Sequence, residues 1–252
     1  MHNNLMQNEQ GNIWGFWGTF FWGILIFAIF TIGQIIPLLG YMAFENMTIT
    51  MDSFNKFSNT VNTDSFLLFL SAMGGTLVVL PLVIGLIKLK KGSVIKEYLN
   101  LYGFTAKTLG LSIVAFILLY MGVGLLIDAM GAKETPDFML NLEYPTLWTK
   151  LALLVAVVIA APIVEELIFR GFLLKGFSQT FMGVHGAILV TSGFWAVIHL
   201  QYETPYLIAI FVIGIVFGYA RVITNSLYIP MIMHALMNLW SMLGLFYEKG
   251  VF

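Results

Sequence analysis

Seven apolar runs dominate this chain, near residues 14–42, 66–88, 108–128, 150–172, 184–200, 205–220 and 227–247. The longer ones match the roughly 20 residues that an α-helix needs to cross a hydrocarbon layer. A chain with this many such runs is an all-α, polytopic transmembrane helix bundle of about seven spans. Composition agrees, with 59% of 252 residues hydrophobic and 10% charged, against about 25% charged in soluble domains. No polar stretch is long enough to build a second core, so the whole chain reads as one continuous membrane domain. The first run is long enough to tilt, or to break near Gly33 and Pro37. The fifth and sixth are short and joined by the tight "QYETP" turn, as expected of closely coupled helices buried against the others.

The chain has no cysteine, which excludes disulfides, thiolate catalysis and thiolate metal sites. Its net charge of −1 gives no footprint for nucleic acid. The start, "MHNNLMQNEQGN", has no Lys or Arg ahead of the first apolar run, unlike a cleaved signal peptide. Lys88, Lys90, Lys91, Lys96 and Lys107 cluster in one loop, expected to be cytoplasmic by the positive-inside rule. Arg170, Lys175 and Arg221 fall on the same side by alternation. The opposite loops carry Glu45, Asp52, Asp64, Glu134, Asp137 and Glu143. An N-terminus inside follows. The piece "KEYLNLYGF" is expected to lie amphipathically at the cytoplasmic interface.

Against this background the stretch "AAPIVEELIFRGFLLKGF", starting at Ala160, is anomalous. Glu165 lies about fifteen residues beyond Lys150, more than about 20 Å down a helix and deep in the hydrocarbon layer. Ionisable groups there cost about 2.5–3.5 kcal/mol each on insertion scales and are functional candidates by default. Glu166 and Arg170 stand four apart, Glu first, the favourable order for an ion pair on one face. Glu165 is turned about 100° from Glu166 and about 140° from Arg170, which leaves it free of that pair. A buried structural network of the three charges is the plainer alternative.

Three further polar residues fall on other spans. His199 follows Trp195 by one turn in "SGFWAVIHL", and His234 precedes Asn238 by one turn in "IPMIMHALMNLW". A lone histidine in such a helix is commonly a packing residue, and His185 and His2 read that way. Two histidines, an unpaired glutamate and an asparagine on three spans point to chemistry. A desolvated carboxylate at Glu165 could serve as general base, with a histidine relaying the proton. A histidine N–H and an asparagine amide could donate to a developing oxyanion. Those parts suit attack of water on an amide. Ser192 and Ser241 have no partner pattern, and HExxH and phosphate-loop fingerprints are absent.

"EELIFR" (EExxxR), "WAVIH" and "HALMN" (HxxxN), in that order on successive spans, resemble the CAAX protease and bacteriocin-processing (CPBP, or Abi) family of intramembrane endopeptidases. The resemblance covers roughly residues 148–247. It divides the chain into N-terminal helices and loops over 1–147 and a catalytic helical core over 148–252. It implies that Glu165 and His199 activate water, that His234 and Asn238 form an oxyanion hole, and that Glu166 and Arg170 support them. The family's second motif usually reads FxxxH, and here Trp195 takes the phenylalanine place and lines the site. A metal-independent, glutamate-dependent mechanism without cofactor is implied, with zinc on Glu165, His199 and His234 as the alternative. The expected partners are a hydrophobic or lipidated peptide or protein substrate and membrane lipids, and the expected location is a bacterial cytoplasmic membrane. Competing readings are a silent relative acting as scaffold or regulator of a signalling partner, and a proton- or cation-coupled transporter. Neither paired broken helices nor an internal repeat favours transport.

Overall fold

The computed structural model describes residues 12–48, 50–133 and 135–251. The expectations for the N-terminal tail, His2 and Glu134 therefore lie outside the described residues. The order is α1 (Phe16–Phe44), α2 (Met51–Val61), α3 (Ser65–Leu89), α4 (Ile95–Tyr98), α5 (Ala106–Ala129) and α6 (Asp137–Leu140). Then follow α7 (Leu147–Ser178), α8 (Gly183–Val197), α9 (Thr204–Thr224) and α10 (Tyr228–Glu248). Among the described residues six of these helices are long and apolar enough to cross a membrane, and α8 is a shorter apolar helix of 15 residues. The sixth run is longer than its apolar stretch implies, because α9 continues through Arg221 to Thr224 and reaches 21 residues.

The bundle turns its apolar side chains outward as well as inward. On α5 only Phe116 and Val123 are buried, while Leu118 and Leu125 are 65% and 71% exposed. Trp17, Phe21 and Ile36 of α1 are likewise exposed. A water-soluble surface does not carry contiguous apolar area on this scale, whereas a lipid-facing one requires it. The protein is a multi-pass membrane protein.

Helix α1 runs unbroken through Gly33 and Pro37. Both serve packing against α3. A Cβ on Gly33 would lie 2.9 Å from the Gly74 carbonyl oxygen, and one on Gly74 would meet the Gly33 carbonyl oxygen and the Pro37 ring. Backbone-to-backbone approach of this kind is what small residues provide between membrane helices. The segment after the lysine cluster packs one face on the bundle. Tyr98, Leu99 and Asn100 are buried, and the Tyr98 ring stacks on Phe172 of α7 at 5.7 Å. Gly171 leaves the room: a Cβ there would lie 2.8 Å from Leu99 Cδ2. The piece turns Tyr98 and Leu99 onto α7 and leaves Lys96 and Glu97 exposed.

Loops gather at two ends. At one end Asn100 bonds to Asn225, Leu227 N–H donates to the Asn100 carbonyl at 2.9 Å, and Ser226 Oγ donates to the Tyr102 carbonyl at 2.6 Å. At the other, Ser65 N–H donates to the Glu143 carbonyl at 3.1 Å, and Lys249 Nζ donates to the Leu142 carbonyl at 2.6 Å. The lysine-rich loop and the α9–α10 turn thus share one end, and the 130–146 loop holds the other.

Candidate active site

Helix α7 carries the anomalous charges, and it is not a uniform α-helix. Residues Val155–Ala160 and Leu167–Leu173 adopt π-helical hydrogen bonding, flanking the α-helical turn Ala161–Glu166. Short π segments insert one residue per turn and are frequent at functional sites. In the first, Ala161 N–H reaches the Ala156 carbonyl, five residues back. The next amide in that register belongs to Pro162, which has no N–H to give the Val157 carbonyl. Asn238 of α10 supplies the missing donor, its Nδ2 lying 2.7 Å from Val157 O. Its second amide hydrogen remains for another acceptor.

The second π segment begins immediately after Glu166 and contains Arg170. Both side chains are fully buried, and Arg170 Nη1 donates to Glu166 Oε1 at 3.0 Å. Arg170 Nη2 donates to the Gly214 carbonyl of α9 at 3.1 Å. That carbonyl is reachable because α9 comes close to α8: a Cβ on Gly214 would lie 2.9 Å from Ser192 Cβ. The guanidinium carbon also sits 4.5 Å from the centroid of the Trp195 ring. Cation–π contact of this kind is strongest where water is excluded.

Glu166 has a second partner that lies outside any single-helix pattern. His234 Nδ1 of α10 stands 3.0 Å from the same Oε1. A carboxylate accepts, so Nδ1 carries the proton and donates. The other ring nitrogen, Nε2, faces Glu165 Oε2 at 4.0 Å. Glu165 keeps 14% of its side chain exposed, against none for Glu166. Its Oε2 accepts a hydrogen bond of 2.6 Å from the Trp195 indole Nε1. His199 follows the end of α8, with Nδ1 2.7 Å from the Trp195 carbonyl oxygen. That oxygen can only accept, so Nδ1 is the donor and Nε2 is left as the ring's basic position in the neutral form. The imidazole stands edge-on to the Trp195 ring at 5.3 Å, and that of His234 does so at 5.2 Å.

The structure therefore gathers Glu165, Glu166, Arg170, Trp195 and His234 into one contact network, with His199 joined to it through Trp195. Asn238 sits on the same helix as His234 but bonds to the backbone of α7. Among the described residues no group of three His, Asp or Glu side chains gathers as a metal-ligand set. Three contacts had no counterpart in the sequence reading: His234 to Glu166, Trp195 to Glu165 and Asn238 to Val157. Only the last left a trace, a proline placed inside an apolar helix.

Among the described residues the fold is an all-helical membrane bundle that holds paired glutamates, an arginine and two histidines together, and comparison with known proteins finds a family that part of the chain is similar to. Residues 147–240, from α7 into α10, match the family described as "Type II CAAX prenyl endopeptidase Rce1-like". A curated relative, an uncharacterized 24.3 kDa protein of Escherichia coli, is 28% identical over 123 residues, 48% of this chain and 56% of that protein. The chain thus spans little more than half the length of that relative. No solved structure matches.

Proposed function

We propose that this protein is a CAAX-type intramembrane endopeptidase that hydrolyses a peptide bond in a hydrophobic or lipidated substrate, with Glu165 as general base. The observation that carries the reading is the contrast between the two glutamates. Glu166 is fully buried and divided between Arg170 and His234, so its charge is committed to structure. Glu165 is partly open and held by one indole N–H. A carboxylate with free acceptor capacity in a water-poor site is suited to take a proton.

In this reading water stands between Glu165 and the scissile carbonyl. Glu165 takes its proton, aided by His199 Nε2, as the water oxygen bonds to the carbonyl carbon. The proton then passes to the leaving amine nitrogen as the carbon–nitrogen bond breaks. His234 and Asn238 receive the charge that develops on the carbonyl oxygen. For His234 that role has a chemical condition. Nδ1 already holds a proton for Glu166, so donation from Nε2 requires protons on both ring nitrogens. Glu165 and Glu166 with Arg170 and an imidazolium His234 then sum to zero charge, which a buried site favours. Asn238 contributes the amide hydrogen not used by Val157.

The test is turnover of an internally quenched, farnesylated CaaX-ended peptide by protein in proteoliposomes. Wild type cleaves it, and Glu165→Gln, still folded by melting temperature, does not. Cleavage surviving in Glu165→Gln would remove Glu165 from the mechanism. Membrane peptidomes with and without the protein would then identify the natural substrate.

A further inference from the structure

The residue that most tightly links the proposed machinery is Trp195. It is 3% exposed, and each part of it is engaged. Its indole N–H donates to Glu165 Oε2 at 2.6 Å. Its face carries the Arg170 guanidinium at 4.5 Å, and Phe217 packs against it at 6.0 Å with a tilt of 42°. Its carbonyl oxygen fixes His199 Nδ1. One residue thus holds the base through its side chain and the histidine through its backbone.

We propose that Trp195 is a positioning residue, whose indole N–H fixes the Glu165 carboxylate with Oε2 tied down and Oε1 presented to the attacking water. This deepens the peptidase reading and rests on it. The physical case has three parts. An indole N–H is a donor only, so it cannot compete with Glu165 for the water's proton. The ring cannot swing away, because Arg170, Phe217 and the two imidazoles enclose it. Among the described residues no hydrogen bond reaches Glu165 Oε1, and that oxygen is the one free to act. A phenylalanine here would keep the ring and the contact to Arg170, but it would leave Glu165 without its donor. The carboxylate would then turn about its terminal torsion, which is broad and roughly two-fold.

The experiment separates the N–H from the ring. Trp195→Phe and Trp195→benzothienylalanine both remove the donor, and the second keeps the bicyclic shape. Each is expected to lower kcat on the farnesylated quenched peptide about 10- to 100-fold, the range for a hydrogen bond to a charged group, with KM nearly unchanged. In a Glu165→Gln background neither should lower it further. A readout that needs no turnover runs alongside. In ¹⁵N-labelled protein in nanodiscs the six tryptophans give indole N–H signals, and Trp195's is assigned by its loss in Trp195→Phe. Glu165→Gln should move that signal most, and speed its exchange with water. If wild type leaves the probe intact, the peptidase reading has failed on that substrate while the indole signal still decides the contact. An indole signal indifferent to Glu165→Gln overturns the proposal. So does a benzothienylalanine protein with wild-type kcat.

Discussion

Glu166→Gln is the substitution whose consequence the structure specifies most fully. Glu166 is completely buried, and one of its oxygens serves two donors at 3.0 Å, Arg170 Nη1 and His234 Nδ1. Glutamine keeps the shape and one acceptor oxygen but removes the one formal negative charge that, among the described residues, touches Arg170. It also brings an amide that has nothing to donate to beside two donors. Removing one partner of a buried pair costs about 3–5 kcal/mol, because the other charge stays behind uncompensated. The retained acceptor places this case at the lower end, about 3 kcal/mol. For a chain of this size that corresponds to about 6–12 °C in Tm. Glu165→Gln removes a partly exposed carboxylate with a single hydrogen bond, and about 1–2 kcal/mol is the most it should cost. Thermal melts of both purified variants in one detergent provide the comparison, with Glu166→Gln/Arg170→Met as control. That double variant should recover part of the loss, since it removes the stranded charge as well as its partner. Equal Tm values for the two single variants, or a double variant worse than Glu166→Gln, would refute the assignment of Glu166 as counter-charge.

Asn238→Ala should lower kcat about 10²–10³-fold, as removal of one oxyanion donor does elsewhere, and should also lower Tm by orphaning the Val157 carbonyl. Pro162→Ala restores a backbone N–H in the π register, so adding it to Asn238→Ala should return the Tm and leave kcat low; a kcat that recovers would make Asn238 purely structural. Enzyme stripped by chelator and shown metal-free by elemental analysis should keep its turnover, whereas activity that returns only with zinc would make Glu165, His199 and His234 ligands. Reporter fusions should place the 90–105 loop and the Asn225–Leu227 turn on the cytoplasmic side and the 130–146 loop outside, and an external 90–105 loop would invert the orientation.

What could be read in advance divides along a physical line. Contacts within one helix follow from periodicity, so the pairing of Glu166 with Arg170 was legible from a spacing of four. So was the helical bundle, because lipid demands long apolar runs whatever their neighbours. At Gly33 and Pro37 the sequence left a tilt or a break open, and the helix runs on unbroken. A proline and a glycine that could break a helix instead let two helices touch, and only the facing Gly74 distinguishes the outcomes. The contacts of Glu165 with Trp195 and of Glu166 with His234 cross between helices. They depend on how three cylinders are rotated about their axes, and no interval along the chain encodes that.

The case of Asn238 is different, because its cause was present in the sequence and hidden by the assumed period. With 3.6 residues per turn, Pro162 frees the carbonyl of Val158, four residues back. In the π register it frees Val157, one residue earlier and about 100° around the helix, which is where Asn238 Nδ2 arrives. The one-residue insertion therefore sets which backbone oxygen α10 must satisfy, and so fixes the register of α10 against α7. His234, one turn before Asn238, is carried by the same register to Glu166. A proline, a π segment and an asparagine amide thus align two helices, and the histidine between the two glutamates takes its place as a consequence.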